Sequence, residues 1–285
     1  MSGDHKPPGW FQDAIAKPSV ALACLSYGTI IRYRCWNPHE NRKRVLLFVH
    51  GFRAHGRWWD FIAPFFTDRF RVYALDLAGM GDSDPRECYS AELFTLDIRA
   101  VLDATGVEPA VLVGHSFGGG RVLRACADVP DRIERAIVLD SMVHFAGDEI
   151  KAARSPGRLA PYPDKDSIIA RYRLIPEQPA EPYLREHVAA HSIKHVDGGW
   201  RWKFDPMLPA FVPEADWAAV LSRVHVPVHY ICGELSEVIS AERAARICAV
   251  LPAGFSNGPL VLPATHHHMM LDQPRLLIAA LQQLL

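Results

Sequence analysis

The sequence predicts an α/β fold with a mostly parallel central sheet, helices on both faces and a helical cap insertion; three observations carry the prediction. Four short, nearly continuous apolar runs, Val45–Val49, Arg71–Leu75, Ala110–Val113 and Arg135–Leu139, occupy the first half of the chain. Continuous rather than alternating hydrophobicity is what a strand buried on both faces requires, and such strands belong to parallel sheets covered by helices. Helical patterns lie between the runs, and the same alternation returns near the end after an interruption of different composition.

Taken in order, Ser19–Leu25 and Thr29–Trp36 flank the turn signal Tyr27-Gly28 and are rich in β-formers, so they are expected to pair as an antiparallel hairpin. Helices are expected over Arg57–Phe66, Ser90–Thr105 and Gly118–Val129, the last stopped by Pro130. The late alternation reads as a strand (Val226–Cys232), a helix (Ser240–Leu251), a strand (Pro259–Leu262) and a helix (Leu271–Leu285). Between them, residues 144–215 are rich in proline and aromatics (Pro156, Pro161, Pro163, Pro176, Pro179 and Pro182, with Trp200, Trp202 and Phe204) and poor in buried-strand runs. An insertion at the carboxyl edge of the sheet sits over the place where α/β sheets bind ligands. Residues 144–215 are therefore expected to form a cap, and 1–143 with 216–285 the core domain.

Composition narrows the partners. Of the 285 residues 49% are apolar and 22% charged, with both signs interspersed, as in a globular chain. A formal net charge of −1 leaves no electrostatic footprint for nucleic acid, and no Lys/Arg-rich run suggests a membrane surface. No basic-then-apolar leader opens the sequence and no apolar stretch is long enough to span a bilayer. Six cysteines, none in a CxxC pair, read as buried reduced thiols of a cytoplasmic protein. The expected partner is a small molecule, bound by a monomer or homodimer without metal or cofactor.

The chemistry starts from Gly114-His115-Ser116-Phe117-Gly118-Gly119, which follows a strand and opens a helix. A serine at such a tight turn is strained and projects its hydroxyl above the sheet, while flanking glycines let strand and helix backbones approach. His50-Gly51-Phe52-Arg53 and Asp76-Leu77-Ala78-Gly79-Met80-Gly81-Asp82-Ser83 add two more patterns. Together they resemble the α/β-hydrolase family over nearly the whole chain. The resemblance implies Ser116 as nucleophile and the backbone N–H groups of Phe52 and Phe117 as the oxyanion hole.

The segment Ala264-Thr265-His266-His267-His268-Met269-Met270-Leu271-Asp272-Gln273-Pro274 resembles the family's closing G-H-x-x-x-x-E-x-P motif. Alignment on Asp272-Gln273-Pro274 implies His267 as the base, with His266 and His268 as competitors. Consecutive side chains are expected to diverge, so the three histidines are not expected to bind a metal. The third member departs from the commonest pattern: where most relatives carry G-x-x-D, Gly233-Glu234-Leu235-Ser236 places a serine. Asp140, at the end of the strand Arg135–Leu139, stands where some branches of the family hold the acid, including certain haloalkane dehalogenases and cofactor-free dioxygenases. Asp140 is expected in that role, with Glu237 the alternative.

The expected reaction is two-step acyl transfer, with carboxylic-ester hydrolysis the default. A serine at the elbow argues against epoxide hydrolase and haloalkane dehalogenase chemistry, which in this fold uses a carboxylate nucleophile. Lactone opening or C–C bond hydrolysis would use the same residues; a cofactor-independent dioxygenase and a ligand receptor on a hydrolase scaffold are the rivals of other classes. Trp200, Trp202 and Phe204, with Trp58 and Trp59, are expected to contact an apolar part of the substrate.

Overall fold

The apolar runs form the middle of an eight-stranded sheet in a computed structural model that describes residues 6–106, 109–148, 160–209 and 216–285. The strands are β1 (Ser19–Ser26), β2 (Thr29–Trp36), β3 (Arg44–Val49), β4 (Phe70–Leu75), β5 (Ala110–His115), β6 (Ile133–Leu139), β7 (Ile193–Val196), β8 (Gly199–Trp202), β9 (Val228–Gly233) and β10 (Pro259–Leu262). All but β7 and β8 join one sheet in the order β1-β2-β4-β3-β5-β6-β9-β10. β1 pairs antiparallel with β2 and β2 with β4; every later neighbour is parallel. This is the expected mostly parallel sheet with its opening hairpin.

The helices are α1 (Gly9–Ala16), α2 (Ala91–Thr105), α3 (Phe117–Asp128), α4 (Lys165–Ile169), α5 (Pro182–His191), α6 (Trp217–Ser222), α7 (Ala241–Val250), α8 (Met269–Asp272) and α9 (Pro274–Leu284). They divide the apolar interior into two cores. Along β3, Val45, Leu47 and Val49 enter a core with Phe94 and Ile98 of α2, Val122 of α3, Leu221 of α6 and Ile247 of α7. Leu46 and Phe48 enter the other, with Phe11 of α1, Met270 of α8 and Leu277 of α9. Both faces of the strand are dry, which is why its sequence shows no alternation. The helix starts at Ser90 and Ser240 prove to be caps: each hydroxyl accepts from the backbone N–H three residues on, of Leu93 and Arg243.

Three expectations need correction. Arg57–Phe66 is not one helix but two 3₁₀ turns, Gly56–Trp59 and Ala63–Phe66; Pro64 removes a backbone donor and cannot sit inside an α-helix. Leu271–Leu285 is split at Pro274, which opens α9 where its missing N–H costs nothing. The inserted segment is mixed rather than purely helical: besides α4 and α5 it holds the antiparallel hairpin β7–β8, four residues per strand and too short to leave a periodic signal. Its Pro156, with residues 149–159 and 210–215, lies outside the described residues. The 160–209 segment is tied to the core by Glu181 N–H donating to Leu271 O (3.1 Å) and Asp205 N–H to Gly79 O (2.7 Å), and by Leu184 and Val188 of α5 in the second core.

All six cysteines are free thiols. Among the described residues no helix is long and apolar enough to cross a membrane.

Candidate active site

The parallel strands deliver their carboxyl ends to one edge, and each end carries a residue singled out from the sequence. Ser116 lies between β5 and α3 with φ 52 and ψ −119, a region of the map that costs a non-glycine residue about 1–3 kcal/mol. Its N–H donates to Leu139 O (2.8 Å), and its C=O accepts from Gly119 N–H (2.9 Å) and Ser141 Oγ (2.6 Å). A side chain at Gly118 would stand 2.4 Å from His50 O, so glycine there lets α3 press against the loop after β3.

His267 is held from two sides. His115 Nε2 contacts its backbone O (3.0 Å), and its Nδ1 lies 2.6 Å from Asp140 Oδ2. Asp140 is fully buried, with backbone φ 47, and its N–H donates to Ile231 O (2.8 Å). Oδ1 accepts from Gly233 N–H (2.8 Å), and Oδ2 accepts from Ser236 Oγ (2.6 Å) as well as facing His267. Gly233 is again a matter of close approach, since a Cβ would sit 2.3 Å from Thr265 O in the histidine loop. Glu237 is exposed and makes no hydrogen bond to His267; the structure brings Asp140 to the histidine instead.

Ser236 was legible only as a missing acid. In the structure its Oγ accepts from Val238 N–H (3.1 Å) and Ile239 N–H (3.3 Å), so its proton is directed at Asp140. The serine thus orients the carboxylate of Asp140, which the neighbouring strand β6 supplies. A proton on His267 Nδ1 facing Asp140 leaves Nε2 as the basic nitrogen. The competitor His266 is turned away, its N–H and Nδ1 both on Asp272 Oδ2 (2.6 and 2.7 Å).

The expected divergence of the consecutive histidines holds for His266 but not for His267 and His268. The rings of His267 and His268 are 4.7 Å apart between centroids, and one ring nitrogen from each of them and one from His115 all lie within 4.8 Å of one another. The turn into α8 folds His268 back toward His115, 5.7 Å between centroids. Burial pushes His268 down to about 3 and His115 well below the ordinary histidine value, with the charge of His267 adding to both. His267 is therefore flanked by two neutral imidazoles at neutral pH.

Burial likewise draws His50 down to about 4 and His55 well below its usual range. These four groups bind protons more weakly folded than unfolded, so the stability they give is complete above about pH 6.5 and lost as the pH falls toward their depressed values. Burial pushes Asp76 and Asp97 up to about 6, and these two oppose the trend by favouring the folded state as the pH falls from 6 to 3.8. Burial also lowers His191 to about 4, and it lowers His144 and His229, so the histidines outnumber the two carboxyls and the net effect is a loss of stability between pH 6.5 and 5. Calorimetry is expected to show Tm falling over that interval; a Tm that is flat or rises toward pH 5 contradicts the assignment.

Ser116 and His267 open on one cavity of about 390 Å³. The core contributes Phe52, Trp58, His115 and His268, and the 160–209 segment contributes Tyr172, Leu174, Trp202 and Phe204. Phe52 and Phe117 lie ring against ring at 5.7 Å, and among the described residues neither backbone N–H is spent on a protein acceptor. Trp202 and Phe204 line the cavity, and Trp200 is not among its described lining residues. It sits nearer the hairpin turn, paired with His195 across the hairpin, its ring 5.4 Å from that imidazole, and its backbone exchanges both bonds with Tyr162. Trp59 belongs to the second core, while Trp58 reaches the cavity. Sequence reasoning missed Arg53, Arg171 and Arg173, which also line it. Arg53 follows Phe52 with nothing in the sequence to mark it, and Arg171 and Arg173 look like any solvated charges.

Compared with known proteins, residues 46–280 match the Alpha/beta hydrolase family. An uncharacterized protein of Mycobacterium tuberculosis is 30% identical over 156 residues, 54% of this chain and 44% of its own length, so the chain spans about half of that relative. The bifunctional esterase/perhydrolase DCH of Acinetobacter calcoaceticus is 28% identical over 260 residues, 85% of this chain and 91% of its own. Among solved structures, E-2-(acetamidomethylene)succinate hydrolase superimposes with a TM-score of 0.76 at 21% identity, over 93% of this chain and 98% of that one.

Proposed function

The chain belongs to the alpha/beta hydrolase family, and from that premise we propose that it is a serine hydrolase cleaving a carboxylic ester of a small, partly apolar substrate through an acyl-enzyme intermediate. The observation that carries the reading is a strained Ser116 opening on the same cavity as His267, whose far nitrogen is bonded to a buried Asp140. The ester-cleaving name of the relative aligned over 85% of this chain supports the same choice of bond.

Ser116 Oγ attacks the ester carbonyl while His267 Nε2 takes its proton. Asp140 keeps the other ring nitrogen protonated and stabilises the imidazolium that forms, and Ser236 fixes the carboxylate. The N–H groups of Phe52 and Phe117 receive the oxyanion. Donors of this kind are worth roughly 100-fold or more each in rate. His267 then protonates the departing alkoxide, and a water that it deprotonates releases the acyl group as the acid. Residues 144–215 act in this reading as the cap, with Tyr172, Leu174, Trp202 and Phe204 closing the cavity over the acyl or alcohol group.

A fluorophosphonate probe with peptide mapping, run beside short-chain p-nitrophenyl ester turnover, tests it. Labelling confined to Ser116 together with turnover is the expected result. An enzyme that neither labels nor turns over has no activated nucleophile, and the reading fails.

A further inference from the structure

Acyl transfer leaves Arg53 without a task, although it follows directly on the oxyanion-hole residue Phe52. Its backbone has φ 56, and its N–H is taken by Met80 Sδ (3.2 Å). The side chain lines the cavity with its guanidinium carbon 4.9 Å from the Phe52 ring centre and 4.9 Å from that of Phe204. Nε and Nη2 are shut off from solvent, and neither has a hydrogen-bond acceptor among the described residues. A guanidinium desolvated in this way is ordinarily paired, because an uncompensated buried charge is costly. The same chain shows the ordinary case at Arg86, whose buried guanidinium meets the carboxylate of Asp97.

Among the described residues the cavity offers no such partner: its lining includes Arg53, Arg171 and Arg173 and no aspartate or glutamate. Burial lowers the Arg53 value with no neighbouring charge acting against it. Arg173 already donates to the carbonyls of Ala170 (2.9 Å) and Tyr172 (2.8 Å), and Arg171 lies over the Tyr162 ring at 5.6 Å. Arg53 is therefore the cavity arginine with donors that no described residue accepts. Two adjacent N–H groups on a planar fork match the two oxygens of a carboxylate, and the flanking rings hold the fork without satisfying it.

We propose that the substrate carries a carboxylate in addition to the scissile ester, and that the Arg53 guanidinium binds it. The substrate class is thus a half-ester of a dicarboxylic acid or a similar singly charged ester. One guanidinium balances one negative charge, which favours a carboxylate over a doubly charged phosphate. The inference rests on the serine-hydrolase reading for the ester, but not for the carboxylate.

The test separates the two. Binding is measured calorimetrically on Ser116→Ala, which has no nucleophile, with monomethyl glutarate, dimethyl glutarate and inorganic phosphate as probes. The monoester is expected to bind about tenfold or more tighter than the diester, an advantage lost in Ser116→Ala/Arg53→Met and partly kept in Ser116→Ala/Arg53→Lys. In the active enzyme the kcat/KM ratio of monoester to diester is expected to fall by about tenfold or more on Arg53→Met. Equal binding of the two esters, or binding of neither, overturns the proposal, and so does phosphate binding tighter than the monoester. Because the binding arm needs no turnover, a wild type inert to fluorophosphonate would defeat ester hydrolysis and leave the carboxylate result to be read on its own.

Discussion

Ser116→Ala is expected to lower kcat for a p-nitrophenyl ester by on the order of 10⁴- to 10⁶-fold, with a much smaller change in KM. The change deletes one oxygen and keeps the Cβ that the φ 52 turn already accommodates. Among the described residues Ser116 Oγ makes no hydrogen bond on which the fold depends: the elbow is held by its backbone N–H on Leu139 O and its C=O under Gly119 and Ser141. The loss is thus one of chemistry, and Tm should stay close to that of wild type. Steady-state kinetics beside a melting curve checks both; a loss below about tenfold in a folded protein would show that no covalent step at Ser116 limits the reaction.

The second large effect is at Asp140. Asp140→Asn is expected to cost roughly 10³- to 10⁴-fold in kcat at neutral pH, because the amide presents an N–H toward His267 Nδ1 and selects the tautomer whose proton blocks Nε2. Glu237→Gln, at an exposed position away from the histidine, is expected to change kcat by less than about twofold. Ser236→Ala falls between them. It removes one of the donors to Asp140 Oδ2, a hydrogen bond worth about 0.5–1.5 kcal/mol net, and should cost roughly two- to tenfold. The kcat/KM profile against pH, measured for all three, separates a misdirected histidine from general loss of structure. A collapse in Glu237→Gln with little effect in Asp140→Asn would transfer the role to the glutamate.

What could be read in advance follows the physics of each signal. The buried parallel strands announce themselves because both of their faces must be apolar, and β3, β4, β5 and β6 lie where the runs predicted. The elbow and the closing histidine are local patterns with fixed backbone consequences, so Ser116 and His267 stand out as candidates without knowledge of the tertiary fold. Asp140 and Glu237 were separable only by which carboxylate the sheet turns toward the histidine loop. Strand order decides that, since β6 lies beside β9 and Ser236 reaches across to Asp140.

The rest was illegible for equally physical reasons. Pro64 turns a helical-looking run into two 3₁₀ turns, and the hairpin β7–β8 is shorter than the window in which a period can be recognised. Trp200 and Trp202 are indistinguishable as letters; their distance from the hairpin turn puts one in the cavity wall and the other against His195. Arg53 was visible beside Phe52, but its meaning lies in the partners it lacks, which only the folded chain reveals.

The most direct test of the central claim is the intact mass of the enzyme in the first turnovers with an ester whose acyl group leaves slowly. Wild type is expected to gain the mass of the acyl group with loss of the alcohol, on the peptide containing Ser116, and Ser116→Ala to gain nothing. Turnover in wild type with no acyl adduct on that peptide, under conditions where product release shows a burst, would contradict the covalent mechanism.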